Sequence, residues 1–125
     1  MKIVMIFFIS IMFSNNTMIN SYCFEERILE IGQTIKYPIK AMENSLESEF
    51  GFNIIEGQVI LDTIRNASLI WIFESSINNI KWEIIQEKCE KKDLPKSFTI
   101  EFKLGKVDTI FYKNERLTVQ KKSLF

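Results

Sequence analysis

Five carboxylates, Glu56, Asp62, Glu74, Glu83 and Glu101, lie in or beside stretches rich in β-branched and aromatic residues. Two such groups suffice for glycoside hydrolysis, one as the acid and the other as base or nucleophile. The rest of the inventory is narrow. The 125 residues include no histidine, which removes the commonest general base, the Ser-His and Cys-His pairs and the commonest metal ligand. Two cysteines, Cys23 and Cys89, cannot build a structural zinc site, and the four glycines, Gly32, Gly51, Gly57 and Gly105, form no phosphate-cradling loop. Carboxylates scattered along strands are ordinarily the solvated face of a sheet, and a body of roughly 100 residues leaves little room for a substrate cleft. The inventory points to a non-enzymatic protein without a cofactor, with a carboxylate-dependent hydrolase as the weaker alternative.

The cysteines draw attention to the compartment. Lys2 precedes an apolar run from Ile3 to Phe13, broken at Ser10, and the polar stretch Ser14-Asn15-Asn16-Thr17 follows. This is the pattern of a secretory signal peptide. Eleven helical residues span about 16 Å, short of the roughly 30 Å hydrocarbon core, so a retained membrane anchor is the alternative reading. Small residues at Ser21 and Cys23 suit cleavage after either of them, and with the later site the signal peptide covers 1–23 and one domain covers 24–125. Acylation at Cys23 is a further possibility, although Tyr22 stands where a small residue is wanted. If Cys23 is retained, an oxidising compartment can join it to Cys89. If it is removed, Cys89 is a small apolar filler.

Within the body, the stretch from Phe24 to Lys36 mixes alternation with β-branched residues over Ile28–Ile35 and suggests a first strand or extended arm. Pro38 then suits the first turn of a helix. Ile39, Met42, Leu46 and Phe50 recur at helical spacing up to a glycine stop at Gly51. Two apolar strands are expected next, one from Phe52 to Ile64 and one over Leu69–Phe73, joined at a polar corner, Arg65-Asn66. In the second strand Leu69, Trp71 and Phe73 face one way and Ile70 and Ile72 the other, the signature of a central strand. The run Ser75-Ser76-Ile77-Asn78-Asn79 closes a hairpin. Ile80 to Cys89 supports a strand by its period-two pattern and a helix by the stripe Ile77, Ile80, Ile84 and Ile85, with the strand favoured by Trp82 and the β-branched residues. Phe98, Ile100, Phe102 and Leu104 alternate with polar residues as a half-buried strand. Gly105-Lys106 suggests a type II′ hairpin back along Val107–Lys113. A turn at Asn114-Glu115 leads to a short edge strand over Arg116–Gln120 and a fraying end.

These elements amount to an α+β chain in which one N-terminal helix packs on a four- to five-stranded antiparallel sheet. The layout resembles the cystatin-like arrangement. Gln58-Val59 is the nearest counterpart to a cystatin inhibitory loop, while Leu61 and Asp62 stand where that loop requires glycine.

Sixteen basic and sixteen acidic residues give a net charge of zero, so no overall field draws the chain to nucleic acid. The charge is unevenly placed, with 8 Lys/Arg against 13 Asp/Glu from Phe24 to Pro95 and 7 against 3 from Lys96 onward. Lys113, Arg116, Lys121 and Lys122 could make the tail an anion-binding pole, or simply a solvated face. Asn66-Ala67-Ser68 matches the N-glycosylation pattern. The expected function is that of an exported, periplasmic or extracellular binding protein, an inhibitor or immunity-type factor that holds another protein. The alternative is an envelope accessory protein that meets the membrane through its N-terminal segment alone. The expected contacts are the loops at Arg65, Asn66, Ser75, Ser76, Asn78 and Asn79.

Overall fold

The structure is a computed structural model that describes residues 22–62 and 70–125. The apolar leader, the Arg65-Asn66 corner, the acceptor pattern at Asn66 and Leu69 lie outside the described residues. Among the described residues, nine elements of regular structure frame the fold apart from one short 3₁₀ turn. They are helix α1 (22–32), α2 (Ile39–Glu43), strands β1 (Ser48–Ile55) and β2 (Gln58–Asp62), helices α3 (Ile70–Asn78) and α4 (Glu83–Lys88), and strands β3 (Ser97–Gly105), β4 (Thr109–Lys113) and β5 (Arg116–Lys122).

The strand or extended arm expected over 24–36 is helix as far as residue 32 and then a turn. Phe24, Ile28 and Ile31 are buried at spacings of four and three, the period of one helix face, and Ile35 is buried just beyond the helix end. The other side carries Glu26, Arg27 and Glu30, paired through the Arg27 guanidinium. The three-turn helix expected from Pro38 to Phe50 stops after Glu43. Asn44 donates from Nδ2 to the Lys40 carbonyl, and Ser45 takes a left-handed φ of 53°, so the chain turns out of the helix there. Phe50 and Gly51 belong to β1, where Phe50 and Phe52 share the buried face and Gly51 is no helix stop. The strand expected from Phe52 to Ile64 is instead a hairpin, folded at Glu56-Gly57 with φ of 53° and 77°. Two positive φ values make a type I′ turn, which twists to match its strands.

The strand expected at 69–73 is helix α3. Phe73, Ile77 and Ile80 point inward, whereas Trp71 is 59% exposed and is no central-strand anchor. Ser75–Asn79, expected as a hairpin turn, forms the second half of that helix and its exit. Residues 80–89 follow the helical alternative, with Ile85 fully buried and Cys89 after the last turn. In both cases one apolar face at helical spacing, packed on a sheet, outweighs the strand propensity of Trp and Ile.

The sheet is mixed, in the order β2-β1-β3-β5-β4. Three neighbouring pairs are antiparallel and β3 runs parallel to β5. The hairpin expected at Gly105-Lys106 is therefore absent: β4 lies two strands away from β3, and β5 returns between them. β5 is interior, with Leu117, Thr118 and Val119 all buried, rather than the edge strand its polar ends suggest. Three residues, 106–108, bridge the top of β5. Their span must cover two strand spacings, about 10 Å, which three extended residues can reach. The bridge is held from below by three hydrogen bonds. The Lys122 N–H donates to Asp108, the Gln120 side-chain amide to the Val107 carbonyl and the Ser123 N–H to the Gly105 carbonyl.

The helices cover one face of this sheet. Phe24 of α1 meets Phe98 and Tyr112 edge-on. Phe73 of α3 packs on Phe50 and Phe102, and Trp82, just before α4, on Phe52 and Phe98. Gly32 lets α1 approach closely, since a Cβ there would stand 2.9 Å from Ile110 Cγ2. Ile100, Leu117 and Val119 complete the floor. The expected α+β class holds, with several short helices in place of one and a sheet that is mostly, not wholly, antiparallel.

Candidate functional site

Because paired residues share a face, the registers also define the surface that the described helices leave open. Across its middle runs Asp62 (β2), Gly51 (β1), Thr99 (β3), Arg116 (β5) and Lys113 (β4). One step along the strands, Glu49, Glu101, Thr118 and Phe111 form a second row. Glu49 and Glu101 are direct cross-strand partners, an arrangement that repels unless a cation joins them. Arg116 joins them. Its guanidinium donates to Glu49 at 2.5 Å and stands 3.8 Å from Glu101, whose other oxygen accepts a 3.2 Å hydrogen bond from the Thr118 hydroxyl. The Glu49 hydrogen bond holds Arg116 still more firmly protonated than usual. Thr118 is the one buried polar residue among the described residues, sealed under this cluster.

Large apolar side chains flank the polar centre. Ile55 and Ile60 lie toward the β1–β2 hairpin and Phe111 lies on β4, each about half exposed. A rigid sheet thus presents a fixed ion cluster with apolar groups on either side, chemistry suited to holding another surface. The two carboxylates sit on an open face and not in a cleft. Of the five carboxylates singled out from sequence, Asp62 and Glu101 share this face, while Glu56 lies in the β1–β2 turn and Glu74 and Glu83 are exposed on α3 and α4. Among the described residues no group of three or more His, Cys, Asp or Glu could hold a metal ion.

Of the loop residues expected to touch a partner, Arg65 and Asn66 lie outside the described residues. Ser75, Ser76 and Asn79 gather around a small hollow of about 300 Å³ with Thr34, Ile35, Lys36 and Ile80. There the Ser76 hydroxyl donates to the Lys36 carbonyl, which ties α3 to the segment after α1. Asn78 is exposed on the same helix. Cys23 and Cys89 are joined, with Cα atoms 5.8 Å apart, so α1 is fastened to the end of α4. In this form Cys23 has no thiol to acylate. No helix among the described residues is long and apolar enough to cross a membrane.

Arg116 was marked only as part of a basic tail, and Glu49, Thr118, Ile55, Ile60 and Phe111 were not marked by local sequence. Their signal is the outward phase of four alternating strands, readable only once the register is known. The chain matches no family model, and neither a curated protein nor a solved structure matches it.

Proposed function

We propose that this is an exported, non-enzymatic binding protein, of inhibitor or immunity type, that holds a protein partner against the helix-free face of its sheet. The observation that carries the reading is the face itself, where Arg116 is fixed between Glu49 and Glu101 and flanked by exposed Ile55, Ile60 and Phe111. Rigid strands present these groups with little ordering cost on association. Desolvated arginine and apolar anchors at the centre of a patch are what binding energy concentrates on. Export is supported by the leader pattern at residues 1–21 and by the closed Cys23–Cys89 bond, which suits an oxidising compartment.

The test is affinity capture of the tagged protein from the cells that make it, with Ile60→Asp and Arg116→Ala beside the wild type. The wild type is expected to bring down one protein in stoichiometric amount. Ile60→Asp, half-exposed and harmless to the core, should lose it while keeping the wild-type circular dichroism. Identical captures by wild type and both variants would remove this face from the function.

A further inference from the structure

The two edges of the sheet are finished differently. At the β2 edge the outward Val59 N–H donates to the Gln86 side-chain carbonyl at 3.0 Å, and the side chain of Lys91 lies against Gly57. That edge is covered at its hairpin end. β4 is the last strand on the other side. The two-residue turn at Asn114-Glu115 makes Lys113 and Arg116 a hydrogen-bonded pair, and alternation then directs Phe111 and Thr109 toward β5. The backbone groups of Ile110 and Tyr112 therefore point outward, and among the described residues no hydrogen bond reaches them. Between Thr109 and Tyr112 there is no proline, no charge and no bulge, the devices that usually blunt an exposed edge.

We propose that this edge is a docking site for a second copy of the chain, with β4 pairing antiparallel to the second copy's β4 about a two-fold axis through Phe111. The strand is complementary to itself in that register. Ile110 meets the second copy's Tyr112 as a hydrogen-bonded pair, twice by symmetry, which uses every outward group of both residues. These two side chains lie on the half-buried helix side of the sheet, so the pair extends the core as an aromatic and β-branched contact. On the open face Phe111, 47% exposed in the monomer, meets its own counterpart in the closely spaced, non-hydrogen-bonded position. Lys113 falls opposite Thr109, so no like charges are opposed. The product is one continuous ten-stranded sheet whose two helix-free faces adjoin. Five residues on each side make a small contact, at the low end of specific interfaces, so the association is reversible.

Sedimentation velocity of the disulfide-bonded protein over a concentration series tests this, with Phe111→Glu, Phe111→Lys and their mixture. The wild type is expected to dimerise reversibly. Each charged variant should weaken dimerisation tenfold or more, on the order of the lost ring pair plus like charges at the axis, and the mixture should recover a heterodimer. Phe111 is exposed, so both variants should fold. Ile60→Asp, on the same face at the covered edge, should dimerise as the wild type does. A wild type that stays monomeric, a Phe111→Glu chain that dimerises unchanged or a mixture that stays apart overturns the proposal. These outcomes are independent of whether a different protein binds the face.

Discussion

Breaking the Cys23–Cys89 bond is the perturbation whose size follows most directly from the chain. The bond closes a loop over a sequence separation of 66 residues. Loop-closure entropy for that length is worth about 4 kcal/mol in the unfolded state at room temperature. A chain of this size has a total stability on the order of 10 kcal/mol, so reduction removes a large share of it. Cys23 sits on α1 and Cys89 follows α4, two helices that cover different halves of the sheet, so the bond also fixes the layout of the helical layer. With a urea dependence of about 1.5 kcal/mol per molar, the unfolding midpoint should fall by roughly 3 M on reduction. Urea titrations followed by tryptophan fluorescence, with and without a phosphine reductant, measure this directly. A Cys23→Ala, Cys89→Ala double variant should reproduce the reduced wild type. If oxidised and reduced proteins unfold at the same midpoint, the bond does not span a loop that is open in the unfolded chain, and the reasoning fails.

Phe73 touches Tyr37, Phe50 and Phe102 and has no exposed surface; Phe73→Ala should cost about 3–5 kcal/mol. Trp71→Ala removes an exposed ring with Lys40 above it and should cost under about 1 kcal/mol. Equal losses in denaturant titrations would contradict the placement of α3. Glu115 holds a φ of 58° in the β4–β5 turn, so Glu115→Gly should stabilise by about 0.5–1 kcal/mol, net of the glycine entropy cost; a lower melting temperature would count against the type I′ geometry. Burial, helped by Glu115 and Glu25, pushes the Tyr112 phenol up to about 12 from 10.0, and burial with Glu47 raises Tyr37 as well. A folded-state pKa above the unfolded one means this stability is complete below pH 10 and is lost as the pH rises toward 12. Thermal melts should fall through that window, and Tyr112→Phe should fall less; a flat profile would refute the assignment.

Where alternation and burial agree, local sequence was sufficient. Phe98, Ile100 and Phe102 form one face of β3 as their spacing implies, and Asn114-Glu115 turns where expected. The pairing of the two cysteines was likewise open to a reading of composition. The helical layer was harder because its segments are short and rich in isoleucine and tryptophan, residues whose propensity favours strands. In α1 the stripe Phe24, Ile28 and Ile31 was readable but competed with a local alternation at 28–31. In α3 a run of four apolar residues at its start concealed which of them face the core. The parallel pairing of β3 with β5 had no local signal at all. It depends on a three-residue bridge over an intervening strand, and the Glu49–Arg116–Glu101 cluster exists only through that pairing.

Native mass spectrometry of a C-terminally tagged protein, recovered without reductant from the cells that make it, tests the central claim most directly. The expected species is a chain that begins at Tyr22, two hydrogens lighter than its reduced form, in a one-to-one complex with a different protein. A chain that begins at Met1, with both thiols free and no partner, would contradict the account of an exported, disulfide-closed binding protein.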